Sequence, residues 1–229
     1  MNAPGEGRQG TARQDGAGGT GTGIGGTGTG TGMGAAVAAI AARGERTLVL
    51  HGEGTAARTA TAMLPTLPEV CFVEVGAETA ASGHVHEALR HAAEQGLGRL
   101  VLLGTADTLA ALAPAGGLGG ITADMGGSTD LAAEVAAAGS AGRAYALWEK
   151  AGLLGPCGRE LCRRVADGLE RAASAPTDTA GAAEAAEAVG DGAVVSTAKD
   201  TAASPIAAQV VLLDPGGERM VGMYGRLGR

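Results

Sequence analysis

Three short apolar segments alternate with helical patterns in the first half of the chain. The segments are residues 47–50 (TLVL), 70–75 (VCFVEV) and 99–103 (RLVLL). Runs of Val and Leu without polar alternation are typical of strands that are buried on both faces. Helical stretches at residues 55–64 and 83–95 separate the three segments. The order β, α, β, α, β therefore predicts a parallel sheet that is covered by helices.

The second half of the chain is mainly helical and ends in a strand. We expect helices between residues 124 and 173, followed by an internal linker at 174–182. Residues 207–213 (AAQVVLL) predict a strand, and the turn at 214–217 leads into a hairpin partner. The predicted fold class is α/β. We expect one three-layer domain over residues 21–229, with a mainly parallel sheet and a C-terminal strand or hairpin.

A glycine–threonine run at residues 18–34 (GGTGTGIGGTGTGTGMG) precedes a predicted helix at 35–42. Residues 1–20 are polar and rich in glycine, which predicts a flexible, disordered tail. Two interpretations of the later part stay open: a low-complexity linker, or a loop whose backbone amides and hydroxyls contact a ligand. We find no full G-x-G-x-x-G dinucleotide fingerprint directly after a strand. The candidate cofactor contacts in this run are Gly26, Thr27, Gly28, Gly30, Thr31 and Gly32.

Small and polar residues follow each predicted strand. Ligands bind beyond the carboxyl ends of parallel strands, so we expect these loops to meet at one edge of the sheet. The candidate catalytic residues are His51, beside Glu53, and Asp107, because each could polarise or orient a ligand. The alternatives are solvent-exposed loop positions and helix capping by Thr105 or Asp107. The candidate cofactor contacts at these strand ends are Gly52, Gly54, Gly76, Glu78, Gly104 and Thr105.

Composition excludes several classes of function. The chain has 229 residues, a net charge of −7, and only one Trp, two Tyr and one Phe. An acidic chain with few aromatic residues is poorly equipped to neutralise phosphates or stack bases, so we expect no nucleic-acid partner. No apolar run approaches the roughly 20 residues of a membrane span, and the first residues do not resemble an export signal. Three cysteines form no disulfide framework, which favours a cytoplasmic location.

Three histidines lie close together in the sequence, at positions 84, 86 and 91. On a helix, residues 84 and 86 point about 200° apart, so the three cannot share one face. No cysteine or carboxylate completes a zinc pattern around them. We therefore expect no metal site and interpret these residues as solvated helix positions.

Several segments, taken in order, resemble the cobalt-precorrin-5B C-methyltransferase family (CbiD). They are GTGTGTGMG (26–34), RTLVLHGEG (46–54), FVEVG (72–76), HEALRHAAEQGLGRLVLLG (86–104), LAAEVAAAGSA (131–141) and VVLLDPGGERMVG (210–222). The resemblance implies a methyltransferase of cobalamin biosynthesis that takes S-adenosyl-L-methionine as its cofactor and methyl donor. It also implies a corrinoid, tetrapyrrole-like small-molecule acceptor. Methyl transfer needs alignment of donor and acceptor more than acid–base chemistry, which suits glycine loops.

The chain also departs from the pattern of this family. Family members are longer and carry an additional N-terminal domain. Their Gly-His and Gly-Lys positions correspond here to residues 104–108 (GTADT), and their Asn-Thr-His-Ser segment has no counterpart in residues 117–127. The alternative function is therefore a non-catalytic relative that binds a ligand or a partner. The methyl acceptor, catalytic turnover and the oligomeric state stay open.

Overall fold

The computed structural model describes residues 30–113, 116–175 and 206–225, with the side chains of residues 30 and 31 excepted. Its centre is a sheet in the order β2-β1-β3-β4-β5, in which β1 to β4 are parallel and β5 is antiparallel to β4. The mainly parallel α/β fold expected from the sequence is confirmed. The strands are β1 (Thr47–His51), β2 (Phe72–Glu74), β3 (Arg99–Gly104), β4 (Ala207–Leu213) and β5 (Met220–Tyr224).

Helices connect and cover these strands. They are α1 (Gly30–Ala42), α2 (Thr55–Met63), α3 (Ala77–Ala81), α4 (His84–Glu94), α5 (Ala106–Leu112), α6 (Gly117–Asp124), α7 (Thr129–Ala136), α8 (Ala141–Lys150) and α9 (Leu154–Ser174). Among the described residues, no helix combines the length and the apolar character that crossing a bilayer requires.

The order of the strands positions the candidate site. The chain runs from β1 through α2 to β2 on one side, then crosses back through α4 to β3 on the other side. The direction of winding therefore reverses between β1 and β3. In open parallel sheets, this reversal leaves a crevice at the carboxyl ends of the two strands, where ligands bind.

The core is built from small and branched aliphatic side chains. The central residues of β1 and β3 are buried, with Val49 paired to Val101 in the register. The long helix α9 packs on β4 and β5, and its apolar residues Leu161, Val165 and Leu169 recur every four positions on the buried face. At Gly158, a Cβ atom would lie 3.0 Å from the Leu212 side chain. Gly158 therefore allows α9 to approach the sheet closely.

Some boundaries differ from those expected. Helix α1 begins at Gly30 instead of residue 35, so the end of the glycine–threonine run is helical. Met33, Val37 and Ile40 lie along one buried face of α1, and this packing compensates for the low helix propensity of glycine. Strand β2 is shorter than expected because residues Glu69–Cys71 form a 3₁₀ turn.

Other expectations fall on residues that lie outside the described part of the chain. They are the tail at 1–20, the contacts Gly26, Thr27 and Gly28, and the linker from residue 176 onward. The division into a tail and one domain therefore stays a prediction.

Candidate functional site

A cleft of about 470 Å³ lies at the carboxyl ends of the parallel strands. This volume is within the range of small-molecule sites, about 300–1,000 Å³. Its walls come from the loops after β1, β2 and β3 and from the turn between β4 and β5. The described residues that line it are Gly52, Glu53, Ala56, Val75, Gly76, Ala77, Glu78, Thr79, Thr105, Asp107, Thr108, Pro215, Gly216 and Gly217.

The loop after β1 carries a glycine fingerprint that the sequence analysis missed. Residues 52–57 read Gly-Glu-Gly-Thr-Ala-Ala, which is G-x-G-x-x-A directly after a strand and at the start of helix α2. Gly54 has a φ of +65°, which favours glycine. A Cβ atom on Gly52 would lie 3.5 Å from that of Ala56 and 3.7 Å from the Thr108 hydroxyl. The turn therefore has the form that lets a ligand approach the backbone.

The loops after β1 and β2 are in close contact. A Cβ atom on Gly76 would lie only 2.6 Å from a carboxylate oxygen of Glu53. Gly76 has an ordinary φ of −72°, so its backbone conformation does not require glycine, and a larger residue here would displace the exposed Glu53 carboxylate. Glu78 lines the cleft from the first turn of α3. Two carboxylates from neighbouring loops thus border the same cleft.

The loop after β3 contributes a buried hydroxyl. A Cβ atom on Gly104 would lie 2.9 Å from the Thr108 Cβ, so glycine allows α5 to start close to the strand. The Thr108 side chain is 6% exposed and lines the cleft. Its hydroxyl makes no hydrogen bond with another described residue. Thr108 therefore offers a free donor and acceptor group at the base of the cleft.

Asp107 lines the cleft and also has a structural role. One of its carboxylate oxygens accepts a hydrogen bond of 3.2 Å from the backbone N–H of Gly142. Gly142 lies in the first turn of α8, where backbone N–H groups lack helical partners and favour a negative charge. Asp107 therefore links α5 to the N-terminus of α8.

The turn between β4 and β5 closes one side of the cleft. The Thr59 hydroxyl of α2 donates a 2.7 Å hydrogen bond to the carbonyl of Gly217, which has a φ of +72°. Backbone N–H groups of Glu218 and Arg219 donate to the Asp214 carboxylate, and these bonds lower the pKa of Asp214. The turn is therefore held firmly against α2. The Asp-Pro-Gly-Gly pattern indicated a turn, but its place in the cleft follows from β4 lying parallel to β3.

The cleft brings together five of the predicted site residues: Gly52, Gly76, Glu78, Thr105 and Asp107. Gly54 and Gly104 shape the loops beside it without lining it. The predicted contacts Gly30, Thr31 and Gly32 belong to the first turn of α1, and this helix packs against α4.

His51 is not among the described residues that line the cleft. It is 7% exposed, and its Nδ1–H donates a 2.9 Å hydrogen bond to the carbonyl of Gly52. Its ring centre lies 6.5 Å from that of Phe72. In this position His51 supports the loop after β1 from within the core.

The cleft is acidic. Of its described lining residues, those with charged side chains are Glu53, Glu78 and Asp107. Such a lining disfavours ligands with a net negative charge, and it favours cations and hydroxyl groups that donate hydrogen bonds. Within the described ranges, no cluster of three or more His, Cys, Asp or Glu residues could hold a metal ion.

Curated relatives of the chain share one name, cobalt-precorrin-5B C(1)-methyltransferase. The relatives from Salinispora tropica and Salinispora arenicola are each 46% identical over 144 residues, which covers 57% of this chain and 36% of each relative. The relative from Rubrobacter xylanophilus is 43% identical over 143 residues, covering 57% of this chain and 35% of the relative. The chain thus spans about a third of the length of these proteins. No family model and no solved structure matches the chain.

Proposed function

We propose that the cleft binds S-adenosylmethionine for methyl transfer. The chain is 43–46% identical, over 57% of its length, to relatives named cobalt-precorrin-5B C(1)-methyltransferase. The acceptor in this proposal is a tetrapyrrole-like molecule that approaches over the loop after β3. The relatives carry the family name, whereas the donor and the acceptor of this chain are our inference.

The main support for the proposal is the G-x-G-x-x-A turn after β1, which lies where the order of the strands reverses. It opens a nine-residue helix, and the N–H groups of its first two residues, Thr55 and Ala56, lack helical partners and would donate to the carboxylate of the donor's amino-acid part. Glu78 follows β2, where nucleotide-binding folds often hold an acid that accepts hydrogen bonds from ribose hydroxyls. The negative charge of the cleft also suits this donor, because its sulfonium group is a cation.

The described lining suits methyl transfer because it holds hydroxyls and carboxylates without a histidine, lysine or arginine. A methyl sulfonium is already a strong electrophile, so the protein has mainly to align donor and acceptor and to exclude water. Thr108 and the backbone of the glycine turn would hold the donor, and Asp107 would face the acceptor side. The same lining disfavours a dinucleotide, since a pyrophosphate would meet three carboxylates.

Calorimetric titration of the purified protein with S-adenosylmethionine tests donor binding. We expect binding by the wild type and about two- to fivefold weaker binding by Gly76→Ala, because the new methyl group displaces the exposed Glu53 carboxylate from its place beside the cleft. Gly98→Ala is the matched control, since a Cβ at Gly98 meets only an arginine tip at 3.8 Å, before β3 and away from the cleft. Absence of binding by the wild type would overturn the proposal.

A second candidate function is ligand binding without turnover. The positions of the two candidate catalytic residues favour it, because His51 is buried beside Phe72 and Asp107 is bonded to Gly142. Mass spectrometry of cobalt-corrinoid acceptors incubated with the protein and the donor distinguishes the two. A mass gain of one methyl group supports the methyltransferase, whereas donor binding with unchanged acceptor supports the non-catalytic relative.

A further inference from the structure

We propose that the cleft selects its ligand by charge and holds the cationic methyl donor more tightly than the neutral thioether product. This inference rests on the proposed function and adds to it. It assigns the selectivity to the carboxylates of Glu53 and Glu78, with Asp107 as a third negative group.

The two glutamates are available to a ligand. Neither forms an ion pair or a hydrogen bond with another described residue, and both line the cleft. Asp107 shares part of its charge with the N-terminus of α8 through its bond to Gly142. No basic side chain is among the described lining residues, so nothing there offsets these charges.

The base of the cleft supplies independent support for a bound ligand. The Thr108 side chain is 94% buried, yet its hydroxyl has no hydrogen-bond partner in the described part of the chain. Because Thr108 lines the cleft and its oxygen is not among the fully buried unpaired atoms, this hydroxyl is open to a molecule that enters the cleft. A ligand that fills the cleft would provide this partner, while its charged part would lie nearer the exposed glutamates.

Methyl transfer changes the charge of the ligand by one unit. The acceptor carbon provides the electron pair for the new carbon–carbon bond, and the sulfur keeps the pair of the broken carbon–sulfur bond. The sulfonium becomes a neutral thioether, and the positive charge passes to the acceptor, which returns to its former charge by releasing a proton to water. The amino-acid part of the ligand keeps its charges. The attraction between the cleft and the sulfonium is therefore lost at the moment of transfer, which favours product release.

Calorimetry with three probes tests this selectivity: S-adenosylmethionine, S-adenosylhomocysteine, and sinefungin, in which an ammonium group replaces the methyl sulfonium. Each exposed carboxylate should contribute a factor of about two to five. We expect both cationic probes to bind the wild type about tenfold more tightly than the neutral thioether. We also expect this ratio to shrink as salt is added, because salt screens exposed charges.

The double variant Glu53→Gln with Glu78→Gln should reduce the ratio to about twofold, since it leaves only the partly compensated Asp107. The matched control is Glu74→Gln, which removes one charge from the exposed end of β2 outside the cleft lining and should leave the ratio unchanged. Circular dichroism establishes that each variant is folded.

The outcomes separate this inference from the proposed function. Equal, salt-independent binding of the donor and the thioether would overturn charge selection and leave donor binding intact. If Glu74→Gln also lost the preference for the cationic probes over the thioether, the preference would come from the net charge of the protein and not from the cleft. This result would also overturn the inference. Failure of the wild type to bind any of the three probes would overturn both proposals.

Discussion

Replacing Glu160 with glutamine should destabilise the protein in a way that depends on pH. Glu160 lies on α9 and accepts hydrogen bonds from Arg163 at 2.7 and 2.8 Å and from Arg164 at 2.8 Å. Arg164 also bonds Asp124 at the end of α6. The carboxylate therefore organises a network that joins two helices.

The size of the effect follows from the pKa. Hydrogen bonds from the two guanidinium groups, Arg163 first, lower the pKa of Glu160 from 4.5 to about 2 despite the opposing effect of burial. A difference of about 2.5 pKa units corresponds to about 3 kcal/mol. The Arg163 side chain is 43% exposed, so solvent screens part of this interaction. We expect a loss of about 1–2 kcal/mol at pH 7.

The sign of the pH dependence is determined by the lowered pKa. The stabilisation is fully present above about pH 4.5, where the unfolded carboxyl is also ionised, and it is lost as pH falls towards about 2. The wild type should therefore be more stable than Glu160→Gln at pH 7, and the difference should narrow progressively below pH 4.5.

Urea denaturation followed by circular dichroism at pH 7, 5, 4 and 3 measures this difference. Glu134→Gln on α7 is the matched control, because it removes an exposed carboxylate for which no ion pair is recorded among the described residues. It should change the free energy of unfolding by less than about 0.5 kcal/mol. A constant difference between the wild type and Glu160→Gln at every pH would refute the reasoning, since it would arise from packing and not from ionisation.

Three further changes test other parts of the molecule. Gly104→Ala should cost about 1–3 kcal/mol in urea denaturation and weaken donor binding in calorimetry, because the new Cβ would lie 2.9 Å from that of Thr108. Trp148→Phe should cost about 1–3 kcal/mol in thermal unfolding, because it leaves a cavity and removes the 2.8 Å hydrogen bond to the buried Thr122 hydroxyl. Replacing the threonines within residues 27–31 by valine should weaken donor binding without unfolding the protein. Unchanged affinity would instead identify this run as a linker.

The strands could be predicted because their pattern is local. A strand that is buried on both faces needs a continuous run of apolar residues, and β1 and β3 are such runs. The start of α1 is harder to predict from the sequence, since the low helix propensity of the glycines at positions 30, 32 and 34 favours a loop. Met33, Val37 and Ile40 carry the helical spacing that reveals the longer helix. Burial of these three side chains against the rest of the protein outweighs the low helix propensity of the glycines. Helix propensities do not include this tertiary packing.

Some walls of the cleft can be predicted from local sequence, whereas others depend on contacts between distant segments. The loops after β1, β2 and β3 could be assigned to one edge because the carboxyl ends of parallel strands meet there. The wall formed by residues 214–217 depends on β4 lying parallel beside β3, which a segment separated by about a hundred residues does not reveal. The fingerprint at 52–57 is visible in the sequence, but its last position is alanine, so it departs from the full G-x-G-x-x-G pattern. Because Gly52 of this turn lines the same cleft as Thr108 and Gly217, a ligand bound on the turn would lie beside segments from both halves of the chain.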